Sequence, residues 1–296
     1  MSFSADAKAE LCRTPLNRPC CAVAEAYGVL LFAYQFSAME IRIITGCAPF
    51  AKRLPRLFKK AFALEFDRCA EGAKRTFTIT DPEKIRSIFG TFGYDADSTL
   101  VRHVNLGVLE EECCRTAFVR GAFLAGGSMT DPSKRCHLEL VTDHKNAAGE
   151  TVSLLQEMGF SPRVTARAGH QVIYFKQSEA AEDFFTTIGA SGAAMELMSA
   201  KVEKEMRNAI NRQINCDSAN ADKTVSAAQS QMDRLRALDR EIGLENLPPD
   251  LSELALLRIA NPAASLSDLA QLADPPVTKS CINHRMRKLM SYHPQE

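Results

Sequence analysis

RGAFLAGGSMTDP, residues 120–132, runs small residues at helical spacing into a glycine pair and then into a turn closed by proline. An interior glycine costs a helix about 1 kcal/mol relative to alanine, so its presence asks for a reason. One reason is a second backbone packed too closely to leave room for a Cβ; another is a phosphate cradled at a helix N-terminus. The cradle needs a Gly-Lys-Ser/Thr ending or G-x-G-x-x-G after a strand, and the stretch has neither. Close packing against another helix is the reading that remains.

An internal repeat identifies that neighbour. Shifted by 93 positions, CCAVAEAYGVLLFAYQF (20–36) falls on CCRTAFVRGAFLAGGSM (113–129), with Cys20-Cys21 on Cys113-Cys114, Ala24 on Ala117, Gly28 on Gly121 and Leu31 on Leu124. After a four-residue insertion, MEIRIITG (39–46) falls on CHLELVTD (136–143), both alternating apolar and polar as half-buried strands do. RTFTITDPEKIRSIFGTFG (75–93) shadows HQVIYFKQSEAAEDFFTTIG (170–189), a strand followed by an amphipathic helix in each. Each unit therefore reads helix, strand, helix, strand, helix, with room for a hairpin partner beside each strand. Two such units make an α+β domain with pseudo-twofold symmetry, and Gly28 and Gly121 meet on its axis.

These residues carry a resemblance. GAFLAGGSM resembles the LAGLIDADG helix of homing endonucleases, whose paired helices form the interface of two pseudo-symmetric halves. In that family an acid near the helix C-terminus holds the catalytic divalent metal. The matching positions here are Gly126 and, by the same shift, Ala33; no Asp or Glu lies between Tyr27 and Ala38, and Asp131 falls beyond the glycine pair. Metal-assisted phosphodiester hydrolysis needs carboxylates to hold its ions. The resemblance thus implies the scaffold without its chemistry, and no catalytic residue, metal or cofactor is expected. The first repeat departs most, with Tyr34 and Gln35 where the second has Gly127 and Ser128.

A chain of 296 residues accommodates two or three domains. Lys plus Arg and Asp plus Glu number 36 each, which excludes a uniformly basic coat and makes any basic site local. The N-terminal MSFSADAKAELCR carries charges where a signal peptide has its apolar core, and the longest uncharged apolar run, 26–39, is too short to span a bilayer. The expected location is the cytoplasm, in association with the nucleoid, with no membrane partner.

Ten cysteines without an export signal read as reduced thiols. Zinc ligands usually come as C-x2-4-C, whereas Cys20-Cys21 and Cys113-Cys114 are adjacent pairs and no CxxC occurs, so buried, inert cysteine is expected. The six histidines gather in no H-x-x-x-H spacing. Asp143 and His144 at a strand end are either catalytic or an ordinary polar turn. KRLPRLFKK (52–60) holds five positive charges and reads as a solvated helical face; Arg42, His137 and Glu139 belong to the strands.

In the last third, MELMSAKVEKEMRNAINRQI (195–214) places Met195, Met198, Val202, Met206, Ile210 and Ile214 on one stripe, read as core-facing. NCDSANADK (215–223) is expected to break that helix before a second one reaches Glu241. Three short helices follow: LSELALLRIAN; SLSDLAQLA, with Ser265 and Asp268 spaced as a capping box; and, after DPPV, TKSCINHRMRKLM with Thr278 as N-cap. Residues 250–274 hold four acids and only Arg258 as a base, while 275–290 hold Lys279, Arg285, Arg287 and Lys288 and no acid. A basic last helix after a tight turn reads as a helix-turn-helix recognition helix, the bland alternative being a solvated basic face. Ile282, Met286 and Leu289 face inward. Lys279, Ser280, Asn283 and Arg287 share the outer face, flanked by His284 and Lys288. Thr278 and these six are the candidate DNA-binding residues.

The order of parts, a degenerate LAGLIDADG pair followed by PPVTKSCINHRMRKL, resembles the WhiA family of bacterial regulators. SFSADAKAEL, NRQINCDSAN and LSELALLRIANPAASLSDLA resemble it too, so the likeness covers nearly the whole chain. It implies a non-catalytic, sequence-specific transcription factor tied to cell division, chromosome segregation or sporulation, with its recognition helix on Thr278 to Leu289. The implied partner is double-stranded promoter DNA, with other transcription factors or RNA polymerase as further candidates; the competing classes are an active LAGLIDADG-type metal-dependent endonuclease and a protein-interaction adaptor that uses the N-terminal LAGLIDADG pair for a partner. The expected fold is α+β: tandem pseudo-twofold LAGLIDADG-like αββαββα repeats (1–110 and 111–200), a helical connector (201–245) and an all-α helix-turn-helix domain (246–296).

Overall fold

The structure is a computed structural model that describes residues 2–95 and 101–293. It divides into two compact units, residues 1–205 and 206–296. In the first, α1 (Phe3–Leu11) precedes α2 (Pro19–Leu31), β1 (Gln35–Phe36), β2 (Ile41–Thr45), α3 (Ala48–Phe62), β3 (Arg68–Ala70), β4 (Arg75–Ile79) and α4 (Pro82–Thr91). The order then recurs as α5 (Glu112–Gly126), β5 (Gly127–Met129), β6 (Leu138–Thr142), α6 (Lys145–Glu157), β7 (Arg163–Arg167), β8 (His170–Phe175) and α7 (Ser178–Ile188). Each repeat is αββαββα, as its periodicity predicts. The sheets are antiparallel and ordered β1-β2-β4-β3 and β5-β6-β8-β7.

Alternation along the strands decides which face is buried. Ile41, Ile43 and Thr45 point into the core from β2, and Leu138, Leu140 and Thr142 do so from β6. Opposite them stand Ile79 and Phe77 on β4, and Phe175 and Ile173 on β8. The same four-residue insertion that separates the sequence alignments separates these two sets.

Helices α2 and α5 pack at the centre, and their glycines explain how closely. A Cβ on Gly28 would lie 2.0 Å from the carbonyl oxygen of Phe118, and one on Gly121 would lie 2.0 Å from that of Glu25. The contacts are reciprocal, as a pseudo-twofold axis requires. Each replaced hydrogen faces rigid backbone, so no rotamer change relieves the clash. Tyr34 and Gln35 lie beyond the end of α2, and the first repeat packs at the axis as closely as the second.

One ion pair is buried in this interface. Glu25 of α2 accepts two hydrogen bonds from Arg53 of α3, at 2.6 and 2.9 Å, and lies 3.4 Å from Arg120 of α5. Arg53 also donates to the carbonyls of Cys12 and Thr14, and Arg120 to that of Ile188. The basic run 52–60 is therefore not uniformly solvated: Lys52, Arg56, Lys59 and Lys60 are exposed, while Arg53 is 2% exposed and neutralises Glu25.

Two expectations about the last third are corrected. A single helix, α8 (Ser191–Ile242), runs for 52 residues straight through 215–223. No Gly or Pro occurs between Gly192 and Gly243, and polar side chains there bond within the helix, Asn220 Nδ2 to Cys216 Sγ and Thr224 Oγ1 to the Asn220 carbonyl. Asp, Ser and Asn disfavour a helix interior by only a few tenths of a kcal/mol each, which its neighbours absorb. The apolar stripe on α8 is also not core: Met195, Met198, Val202, Met206, Ile210 and Ile214 are all exposed, whereas Ala193, Ala194 and Leu197 are buried. The start of α8 is capped by the Glu10 carboxylate, which accepts from the amides of Gly192 and Ala193 at 2.7 and 3.0 Å.

The second unit packs the end of α8 with α9 (Pro249–Ala260), α10 (Leu266–Leu272) and α11 (Lys279–Met290). Leu235, Leu238, Leu254, Leu269, Ile282, Met286 and Leu289 form its core. Arg258, the lone base of the acidic stretch, is buried and donates to Gln231 Oε1 and the Ala264 carbonyl. No helix among the described residues is long and apolar enough to cross a membrane.

Two measurements test this account. Gly28→Ala and Gly121→Ala should each destabilise the chain by about 3 kcal/mol or more, beyond the usual overpacking cost because the obstacle is backbone; unchanged thermal melts would refute the close approach. Arg53→Ala should cost about 3–5 kcal/mol in urea unfolding by leaving Glu25 buried and poorly compensated, while the double change with Glu25→Gln should recover part of it.

Candidate nucleic-acid interface

The candidate interface is built on α11. Thr278 caps it by accepting from the Cys281 amide at 3.3 Å, and Ser265 and Asp268 form a reciprocal capping box on α10. The turn between them is held by the Val277 amide donating to the Ala270 carbonyl at 3.0 Å. Ile282, Met286 and Leu289 anchor one side of α11 in the core. Thr278, Lys279, Ser280, His284, Arg287 and Lys288 are exposed on the other, with Asn283 half-buried among them. Arg285 is drawn aside, half-buried and 3.9 Å from Glu253 of α9. Arg287 and Lys288 occupy the last helical turn, where the helix dipole by itself favours cations.

In the first unit, a cleft of about 1020 Å³ opens where α2 and α5 end, lined among others by Ala33, Gly126, Lys8, Lys74, Asp143 and His170. Neither helix brings a carboxylate into it. A Cβ on Gly126 would lie 2.3 Å from the Val141 carbonyl oxygen, so the position has no room for an aspartate. Among the described residues Asp143 is the one acid that lines it, and it pairs with the His170 imidazole rather than with neighbouring His144. His144 instead precedes α6, where burial lowers its pKa. Lys8, missed in the sequence, lines the cleft, and burial pushes its ammonium down to about 8.

On the open face of the sheets, Arg42 and Glu139 are met within the protein, while Arg68 and Arg163 stand exposed beside them. Arg42 bonds Glu40 at 2.7 Å; Glu139 is held by Arg167 at 3.1 Å and lies 3.2 Å from His137.

The cysteines depart from the expectation of burial. Only Cys114 is buried; Cys20, Cys69 and Cys216 are exposed and the other six are intermediate. The two adjacent pairs meet: the Sγ atoms of Cys20, Cys21, Cys113 and Cys114 all lie within 4.8 Å of one another. Hydrogen bonds with Cys21 and Arg18 hold the Cys113 thiol below its ordinary range, while burial pushes Cys21 up to about 11. The signal was the repeat itself, since residues matched across a pseudo-twofold axis and close to it must meet.

Comparison with known proteins agrees with this architecture. The family profiles described as "WhiA LAGLIDADG-like domain" and "WhiA C-terminal HTH domain" match residues 115–207 and 210–293. The "Probable cell division protein WhiA" of Ruminiclostridium cellulolyticum is 35% identical over 300 residues, covering 98% of this chain and 96% of that protein. The protein of the same name from Clostridium novyi is 36% identical over 306 residues, with 98% and 96% covered. Among solved structures, full-length DUF199/WhiA from Thermatoga maritima shares the fold at a TM-score of 0.60 and 22% identity, covering 98% of this chain and 97% of its own. With more than a third of its residues shared with such relatives over nearly the full length of both chains, this chain belongs to the WhiA family.

Proposed function

We infer that this chain is a non-catalytic, sequence-specific DNA-binding regulator of transcription acting in bacterial cell division, with chromosome segregation or sporulation as related processes. The observation that carries this reading is the outer face of α11, where Lys279, Ser280, Asn283, His284, Arg287 and Lys288 stand together on a helix anchored from behind by Ile282, Met286 and Leu289. Arg287 is suited to bidentate contact with guanine O6 and N7, and Asn283 to adenine. Thr278, Lys279, Ser280 and Lys288 are suited to phosphates and His284 to the rim of the contact, fixing register without reading sequence. The partner is double-stranded promoter DNA. The match to a helix-turn-helix family and the relatives' name as cell division proteins support the reading.

The non-catalytic reading is supported by the residues at the ends of the two central helices. Metal-assisted phosphodiester hydrolysis needs carboxylates to hold its ions, and the positions that match those of the homing-endonuclease acids are Ala33 and Gly126, the second closed off by the Val141 carbonyl.

A mobility shift with genomic promoter fragments and the full chain, in EDTA and then in magnesium, tests both halves. Specific binding in EDTA without cleavage in magnesium is expected, and cutting would overturn the non-catalytic reading. Arg287→Ala should lower discrimination between sites by about 1–3 kcal/mol if the side chain reads a base, or reduce the salt slope by about one contact if it meets phosphate. An unchanged affinity, discrimination and salt slope would remove Arg287 from the interface.

A further inference from the structure

Cys20 and Cys21 occupy the first turn of α2, and Cys113 and Cys114 the first turn of α5. Because α2 and α5 are related by the pseudo-twofold axis, the two adjacent pairs face each other and all four Sγ atoms fall within 4.8 Å of one another. Cys20 Sγ and Cys21 Sγ are 4.0 Å apart. A tetrahedral tetrathiolate with metal–sulfur bonds of about 2.3 Å has sulfur–sulfur edges of about 3.8 Å, so closing around one ion requires side-chain movements of under about 1 Å. The separation is too short for thiolates around a multi-iron cluster and fits a single ion.

The surroundings favour negative charge there. All four cysteines stand in the first turn of a helix, where the positive end of the helix dipole favours negative charge. Arg18, in the N-cap position of α2, places Nη1 3.5 Å from Cys113 Sγ. Exposed Cys20 leaves a path for the ion, and buried Cys114 forms the floor. The one-dimensional C-x2-4-C rule misses the arrangement because each helix supplies neighbouring residues and the pairing is between repeats.

We propose that Cys20, Cys21, Cys113 and Cys114 form a structural site for one zinc ion, clamping the first turns of α2 and α5 together. Binding releases the thiol protons to solvent and leaves a four-sulfur shell with no open position, so the site supports the fold and does no catalysis. It lies at the opposite end of α2 and α5 from the cleft that holds Ala33 and Gly126.

The test uses the full chain purified anaerobically under reducing conditions, loaded with zinc and separately with cobalt. About one zinc per chain should survive gel filtration, and the cobalt form should show the thiolate charge-transfer and visible bands of a tetrahedral sulfur site. Cys20→Ser with Cys113→Ser should abolish both, with helical content retained because serine suits the first turn of a helix; Cys69→Ser with Cys216→Ser should leave both intact. A chelator should lower the melting temperature of the parent chain and not that of the Cys20/Cys113 variant. Absence of retained zinc from the fully reduced chain, a cobalt spectrum that survives loss of Cys20 and Cys113, or disulfides joining these cysteines in the zinc-loaded protein would each overturn the proposal.

Discussion

The first unit depends on two backbones that approach until a methyl group no longer fits between them. Gly28 and Gly121 face the carbonyls of Phe118 and Glu25 across the helix pair, each filling the space its counterpart leaves. That contact fixes the axis about which everything else in the unit is repeated. It sets the spacing at which Glu25 meets both Arg53 and Arg120, and it brings the starts of α2 and α5, with their cysteines, to one point. It also brings their ends to one cleft.

Buried charge within so tight an interface demands full compensation, because an isolated carboxylate would lose several kcal/mol of hydration. Glu25 is compensated by groups from two other helices, and Arg53 satisfies its remaining donors on the carbonyls that precede α2. The network thus fastens α1, α2, α3 and α5 at a single buried place. In the second unit Arg258 has a comparable task without an acid, spreading its donors over Gln231 and a turn carbonyl.

Much of this was legible in the amino-acid order, and the reasons are specific. The repeat is a direct comparison of residues, so β2 and β6 carry Ile41 and Leu138 at equivalent positions, and the glycines at 28 and 121 signal close packing by their matched places in the two helices. The face of α11 was legible because charge and apolar residues separate cleanly at helical spacing. The continuity of α8 was not, since Asp217, Ser218 and Asn220 carry the same turn signal whether or not the helix proceeds. The exposure of its apolar stripe was equally hidden, because periodicity tells which residues share a side and not whether anything covers it. The burial of Arg53 within a basic run, and the meeting of two cysteine pairs 93 residues apart, are three-dimensional facts that one-dimensional spacing rules do not encode.

The fit of Gly126 beneath the Val141 carbonyl has a consequence for what this scaffold can become. An enzyme that has merely lost a side chain keeps a vacancy its shape, and one codon change refills it. Here the Val141 carbonyl occupies the volume in which a carboxylate at position 126 would stand. A carboxylate at that point demands a displaced backbone before its side chain fits, so a single substitution at 126 does not place one there.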